Sequence, residues 1–318
     1  MILLTGGSGF IGGHFHNVIS NDKLINLDLH KPEFNHSATF YQGDIRKQED
    51  VERVLSENKI EKIISLAAKH HDFGIGHDEY FDTNEAGTEV ICKAASKYGI
   101  KEIIFYSTVA VYGTTEQMST EQLEPQPDSP YGASKLAGEK VLIKWAQEDA
   151  SRKVLILRPA LVFGANNRAN MYNLISQVNS GFYFHIGKAA NIKSIAYVEN
   201  LVSATLFLAN KLGAGVHIYN YADEPQLTSR QIGETIAEAL EKKIRFTLPR
   251  FVAIACGLPF DLAIKITGKN LPISTARIKK LNTQTLHSAN KVRQTGFLPV
   301  YSTQQGIMKM VSWYKSQR

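Results

Sequence analysis

The sequence predicts an α/β protein: a doubly wound parallel sheet with helices on both faces, followed by a smaller C-terminal domain. Three observations predict it. Short apolar runs alternate with helix-period segments through the first half of the chain. A glycine-rich turn joins the first run to the first helix. Glycines, acids, hydroxyls and small residues then recur at the carboxyl ends of the runs, where sheets of this kind bind ligands. The expected boundary lies near residue 165. Residues 1–165 form the sheet domain, and 166–318 form mainly the second domain, with some segments returning to the sheet core.

Ile2-Leu3-Leu4 is long enough for a buried strand, and Thr5-Gly6-Gly7-Ser8-Gly9-Phe10-Ile11-Gly12 turns into a helix reaching about Ile19. Strand, glycine turn and helix N-terminus in that order suit a pyrophosphate, because the backbone can approach it and free N–H groups face it. Leu24 to Leu27 reads as a second strand ending in Asp28, 22 residues after Gly6. An acid there can accept hydrogen bonds from an adenosine ribose and repels a 2′-phosphate, favouring NAD over NADP. A third strand ends at Phe40 to Arg46, and 49–58 is a polar-faced helix. A fourth strand, 60–68, ends in Ala67-Ala68, small enough for a cofactor to lie across it. The segment 80–98 has helical periodicity, and 101–107 is a fifth strand. Asp128-Ser129-Pro130 opens a helix running to about Ala150, and 154–157 is a sixth strand. Beyond Gly164 helices are expected near 171–180, 198–211, 229–241 and 303–315, with short strands between them.

Composition narrows the class. The 318 residues are 43% hydrophobic and 21% charged, ordinary for a globular protein with an ample core. No window of 18 uncharged apolar residues exists, so a membrane span is not expected. The first strand begins at once, so no signal peptide is expected and the reading is cytoplasmic. Cys92 and Cys256 lie far apart among apolar neighbours without metal-ligand spacing, which suits reduced buried thiols. The net charge of +6 is unevenly spread. Residues 241–318 hold 14 Lys/Arg against two acids, a net of +12, and the first 240 residues carry −6.

Tyr131 and Lys135 stand at i and i+4 and share a helix face. A phenol with a pKa of about 10 is too weak an acid to work as a base at neutral pH. A nearby ammonium favours the phenolate, and the pair can then move a proton at a carbinol or carbonyl. Ser107-Thr108 ends the preceding strand, and Thr108 is placed to hydrogen-bond the reacting oxygen.

With these pieces in order, the chain resembles an extended short-chain dehydrogenase/reductase of the NAD-dependent nucleotide-sugar epimerase/dehydratase kind, with a Rossmann-type sheet. The matching pieces run from the glycine turn through Gly43-Asp44-Ile45-Arg46, Leu66-Ala67-Ala68, Asn84-x-x-Gly87-Thr88 and Ser107-Thr108-x-x-Val111-Tyr112-Gly113. They continue through Pro130-Tyr131-Gly132-Ala133-Ser134-Lys135, Arg158-Pro159-x-x-Val162-Phe163-Gly164 and Tyr197-Val198-Glu199-Asn200. The resemblance implies that Gly6, Gly9 and Gly12, with Phe10 and Ile11 beside them, hold the pyrophosphate of NAD. It gives Asp28 the adenosine ribose and Asp44 with Ile45 the adenine. Ala67, Ala68, Ser107 and Pro159 complete the cofactor site. Tyr131 becomes the acid/base, Lys135 binds the nicotinamide ribose and tunes Tyr131, and Thr108 orients the sugar hydroxyl. The family's dehydratases carry Thr-Asp-Glu where this chain has Thr108-Val109-Ala110, so 4,6-dehydration is not expected. Leu161 stands where many members place an asparagine, which leaves the choice of sugar open.

What remains is redox chemistry at C4: a 4-epimerase of a UDP-hexose or UDP-N-acetylhexosamine, or a 4-ketoreductase consuming NAD(P)H. Asp28 inclines the reading to the epimerase. A catalytically idle NAD-binding regulator is the rival from another class, and it would not need Tyr131. By resemblance, the C-terminal domain closes over the nucleotide diphosphate, with Arg168, Asn170, Asn173 and Arg277 as candidates for contact. By resemblance too, a homodimer is expected through a four-helix contact of 80–98 and 130–150. Phe251 to Ile266 is strongly apolar with basic flanks. It reads either as a hairpin buried and broken at Pro259, or as a face resting on an anionic membrane. No nucleic-acid recognition motif is present, so nucleic acid is not an expected partner.

Overall fold

In the computed structural model, which describes residues 1–33, 37–69, 76–115, 117–267, 275 and 283–317, the apolar runs are strands. These are β1 (Ile2–Thr5), β2 (Leu24–Asp28), β3 (Thr39–Gln42), β4 (Lys62–Ser65), β5 (Glu102–Tyr106) and β6 (Lys153–Pro159). Between them run helices α1 (Phe10–His16), α2 (Gln48–Glu57), α3 (His77–Phe81), α4 (Gly87–Lys97) and α5 (Pro130–Gln147). The second half adds β7 (Leu161–Phe163), α6 (Asn170–Ser180), β8 (His185–Ile186), β9 (Ile192–Lys193), β10 (Ile195–Tyr197) and α7 (Val198–Lys211). Then come β11 (Gly215–Tyr221), β12 (Leu227–Thr228), α8 (Ser229–Ala239), β13 (Thr247–Leu248), α9 (Arg250–Thr267), α10 (Asn290–Gln294) and α11 (Thr303–Ser316).

Seven strands pair in the order β11-β6-β5-β4-β1-β2-β3, every neighbour parallel. The chain moves outward from β1 to β3, then returns to the other side of β1 with β4. That reversal between β1 and β4 opens a crevice at the carboxyl ends. The central strands are almost continuous Leu, Ile and Val, as strands covered on both faces must be. One apolar cluster sits between the sheet and α1 with α7. A second sits between the other face and α2, α4 and α5. A third, built from α6, α8, α11 and β10, is the core of the C-terminal lobe.

Two elements differ from the sequence expectation. The 80–98 segment is not one α-helix. A π-helical turn, Asp82–Ala86, separates α3 from α4. β11, beyond residue 165, pairs with β6 in the main sheet, as a segment that returns to the sheet core does. Pro259 does not break the 251–266 stretch, which is the single helix α9, and Phe251 and Leu258 on it are exposed rather than buried. Cys92 is buried, and burial pushes its thiol up to about 12, as an inert structural thiol requires. Among the described residues no helix is long and apolar enough to cross a membrane.

Candidate active site

The glycine turn is built by close approach. Gly6 has φ of 70°, and a Cβ there would fall 2.5 Å from the Ala67 nitrogen. Ala67 and the turn therefore meet directly at the β1/β4 crevice. Gly12 is pressed against Gly7 and locks the start of α1 to the turn. Gly9 differs. Its nearest neighbour would be Gly6 O at 3.4 Å, so its open side faces out of the protein. Gly9 is also the N-cap of α1, where no side chain caps the first turn. Phe10 and Ile11 thus present backbone N–H groups at an open helix N-terminus. A loop with no side chain in the way and uncapped donors behind it fits a pyrophosphate.

Asp28 ends β2 beside this loop, and its Oδ2 accepts from the Ser8 N–H at 3.0 Å. Asp44 follows β3 and is nearly buried, with its carboxylate in a 2.6 Å ion pair to Arg46. Burial pushes the Asp44 carboxyl up, but hydrogen bonds from Arg46 outweigh it and hold it below the usual range. The Ile45 side chain is buried in the core against Gly87, so only its backbone is available to an adenine. Ala68 and the buried Ser107 and Pro159 sit at the ends of β4, β5 and β6, on the same rim.

Beyond β5 the chain makes a 3-10 turn, Val109–Tyr112, capped by Thr108. The Thr108 Oγ accepts from the Ala110 N–H at 3.1 Å, which leaves its hydroxyl proton for a partner outside. Ser129 caps α5 and Pro130 takes its first position, as the sequence predicts. Gly132 explains how the two segments meet. A Cβ on it would lie 2.4 Å from Ala110 O, so only glycine lets the start of α5 touch the Thr108 turn. Tyr131 is thereby held beside that turn, and its ring lies 6.4 Å from Tyr80. Lys135, one turn on, is buried, with its ammonium 3.9 Å from the centre of the Phe105 ring. Burial pushes its pKa down to about 7, while the Glu139 carboxylate pulls it up.

Glu139 is a residue that motif reading passes over. It lies at i+8 from Tyr131, buried, and is hydrogen-bonded by Ser107 Oγ and held by Arg158 at 2.5 and 2.9 Å. Arg158 in turn donates to the Tyr112 hydroxyl at 2.8 Å, which donates to Asn220. Asn84 stands among the motif pieces without a role, and the structure gives it one. Its amide donates to Ser134 Oγ at 2.9 Å and to Lys69 O, and its oxygen accepts from the Lys69 N–H. It ties the segment after β4 to α5. The i, i+4, i+8 spacing of Tyr131, Lys135 and Glu139 was the available signal for the first, and the Asn84-x-x-Gly87-Thr88 match for the second.

Of the substrate candidates, Arg168, Asn170 and Asn173 gather at the N-terminus of α6 and are exposed. The loop before them is tied toward α1, because His14 Nε2 donates to Ala165 O at 3.2 Å. Arg277 lies outside the described residues.

Residues 2–222 match the NAD dependent epimerase/dehydratase family. The chain belongs to that family. Family membership makes it an enzyme and makes NAD its cofactor. It is 35% identical over 98% of its length, and 94% of the relative's, to an N-acetyl-alpha-D-glucosaminyl-diphospho-ditrans,octacis-undecaprenol 4-epimerase of Escherichia coli O157:H7. It is 37% identical over 67% of its length, and 73% of the relative's, to a UDP-glucose 4-epimerase of Lacticaseibacillus casei. Its fold matches the UDP-glucose 4-epimerase of Thermus thermophilus in complex with NAD, with a TM-score of 0.77 at 23% identity over 100% of this chain and 99% of that one.

Proposed function

We propose that this family member is a 4-epimerase of a diphosphate-linked sugar, acting through a 4-keto intermediate. The observation that carries it is the gathering of Thr108, Tyr131 and Lys135 at the crevice end, with Val109 and Ala110 where elimination would need carboxylates. The Gly6–Gly12 turn with Asp28 and Lys135 would hold NAD, which would supply the hydride acceptor and donor for C4. Tyr131 takes the O4 proton as C4 is oxidised and gives it back on reduction. Lys135 supplies the positive charge that favours the phenolate. Thr108 donates a hydrogen bond to O4. Turning of the keto sugar in the site would present its other face for reduction, and C4 would be inverted. A 4-ketoreductase would use the same residues. Relatives at 35% and 37% identity that are 4-epimerases favour inversion. An idle regulator has no use for the intact Tyr131 and Lys135.

The sugar's carrier is expected to be UDP. A polyprenyl diphosphate is the second reading, favoured because the relative acting on an undecaprenol-linked sugar matches nearly the whole chain, including its C-terminal lobe. In either case Arg168, Asn170 and Asn173 are assigned to the diphosphate. The protein is assigned to the cytoplasm, and to a homodimer through α4 and α5. The test is incubation with UDP-hexoses, UDP-N-acetylhexosamines and a polyprenyl-diphospho-N-acetylhexosamine, without added cofactor, following C4 configuration by NMR. Inversion is expected, and Tyr131→Phe should lower its rate by about 10²–10⁴-fold. Turnover of 4-keto sugars alone, with NAD(P)H supplied, overturns the epimerase.

A further inference from the structure

We propose that the face formed by β8, β13 and the start of α9 docks on an anionic lipid bilayer. β8 and β13 pair in parallel, His185 opposite Thr247. Phe184 and Phe246 precede that pair and stand side by side, and Phe246 O accepts from the His185 N–H. Phe246 is 72% exposed and Phe182, two residues before Phe184, is 83% exposed. α9 begins two residues after β13, beside the Gly187 turn, where Arg250 approaches. On it Phe251 (74% exposed), Ala255 and Leu258 (58% exposed) follow at i, i+4 and i+7 and form one outward apolar stripe.

Four large apolar side chains more than half exposed, two on the segments that lead into β8 and β13 and two on α9, are far more than scattered surface residues. The surrounding charge says what covers them. Lys188, Lys242, Lys243, Arg245 and Arg250 are all exposed, and none is in an ion pair among the described residues. Arg230 is partly exposed but paired to Glu234. The acids near the rim, Glu234, Glu238 and Glu241, lie on or just after α8, and Glu241 is paired to Lys315. Exposed aromatics ringed by unpaired cations match a leaflet of anionic headgroups over acyl chains. A second copy of this chain would set the same cations against each other. Four cations of the basic 241–318 segment, Lys242, Lys243, Arg245 and Arg250, stand on this rim. The inference does not rest on the epimerase reading, because vesicle binding is read without turnover.

The test uses the full chain with phosphatidylglycerol/phosphatidylethanolamine vesicles and with phosphatidylcholine vesicles, sedimented at low and high salt. Binding to the anionic vesicles alone, lost at high salt, is expected. Phe246→Ser with Phe251→Ser, and separately Lys242→Glu with Lys243→Glu and Arg245→Glu, should each weaken it by at least about tenfold. All five side chains are exposed, so circular dichroism and turnover of a water-soluble substrate should stay unchanged. No binding by the parent overturns the proposal, and so does binding that both variants retain. A drop in oligomeric mass on changing Phe246 and Phe251, with vesicle binding intact, assigns the face to a second copy and overturns it too.

Discussion

Lys135 shows how the site is tuned at the level of single atoms. Its ammonium is buried against Phe105, and the carboxylate one turn away already belongs to Arg158. The protein thus holds a partly uncompensated charge next to Tyr131. The free-lysine value is 10.5 and the folded one about 7, so between them the unfolded chain binds one more proton than the folded chain. Stability from this group therefore rises as pH rises through that window. Lys135→Met should remove that slope and leave the thermal midpoint unchanged or higher, while activity falls by about 10²-fold or more. Calorimetry from pH 7 to 10 with parallel rate measurements checks this, and a midpoint lowered by several degrees contradicts it. The pair itself was legible, because Tyr131 and Lys135 needed only helical spacing. The depth of Lys135 was not, since nothing local announces that Phe105, thirty residues back, lies against it. Ile45 makes the converse point. Its motif position suggests contact with adenine, while its side chain packs in the core against Gly87.

At the scale of elements, α5 is fixed on two sides. Asn84 holds its start to the segment after β4, and Glu139 holds its middle to β6 through Arg158. The π turn Asp82–Ala86 is what places Asn84 there, with its amide reaching both Lys69 and Ser134. Apolar periodicity read straight through this segment, because one extra residue per turn does not erase an apolar stripe. β11 was hidden for a different reason. Its sequence, GVHIYNY, mixes polar and aromatic residues, and its pairing partner β6 lies some sixty residues back. The strands β1, β4, β5 and β6 were plain because burial on both faces forces a continuous apolar run. Glu139→Gln leaves the Arg158 guanidinium buried without its carboxylate and should cost about 3–5 kcal/mol of stability. It should also move the alkaline limb of the rate profile to lower pH, because Glu139 raises the Lys135 value. Replacing both partners, Glu139→Leu with Arg158→Met, should recover most of the stability. Denaturant midpoints and the pH profile of kcat read the two effects. A Gln variant as stable as the parent sinks the argument.

For the molecule as a whole, the same helix carries the argument outward. α5 turns Ser134, Lys135 and Glu139 inward and leaves Ala133, Leu136, Ala137 and Val141 half-buried on its outer side. With Phe81 from α3 these residues line a shallow groove, edged by Lys140, Lys144 and Glu85. An apolar stripe with charged edges, on a helix whose inner face holds the acid/base, is well placed for a twofold contact between copies. About 800 Å² per partner is the size a stable pair requires, and the proposed pair packs α4 and α5 against their counterparts. Leu136→Glu with Ala137→Arg should halve the mass measured by light scattering while leaving circular dichroism unchanged. The rate per chain should then fall on dilution, because α5 loses the support behind Tyr131. A mass unchanged by the substitutions places the contact elsewhere. A monomer with full activity separates the contact from catalysis and leaves the inner face of α5 sufficient for the chemistry.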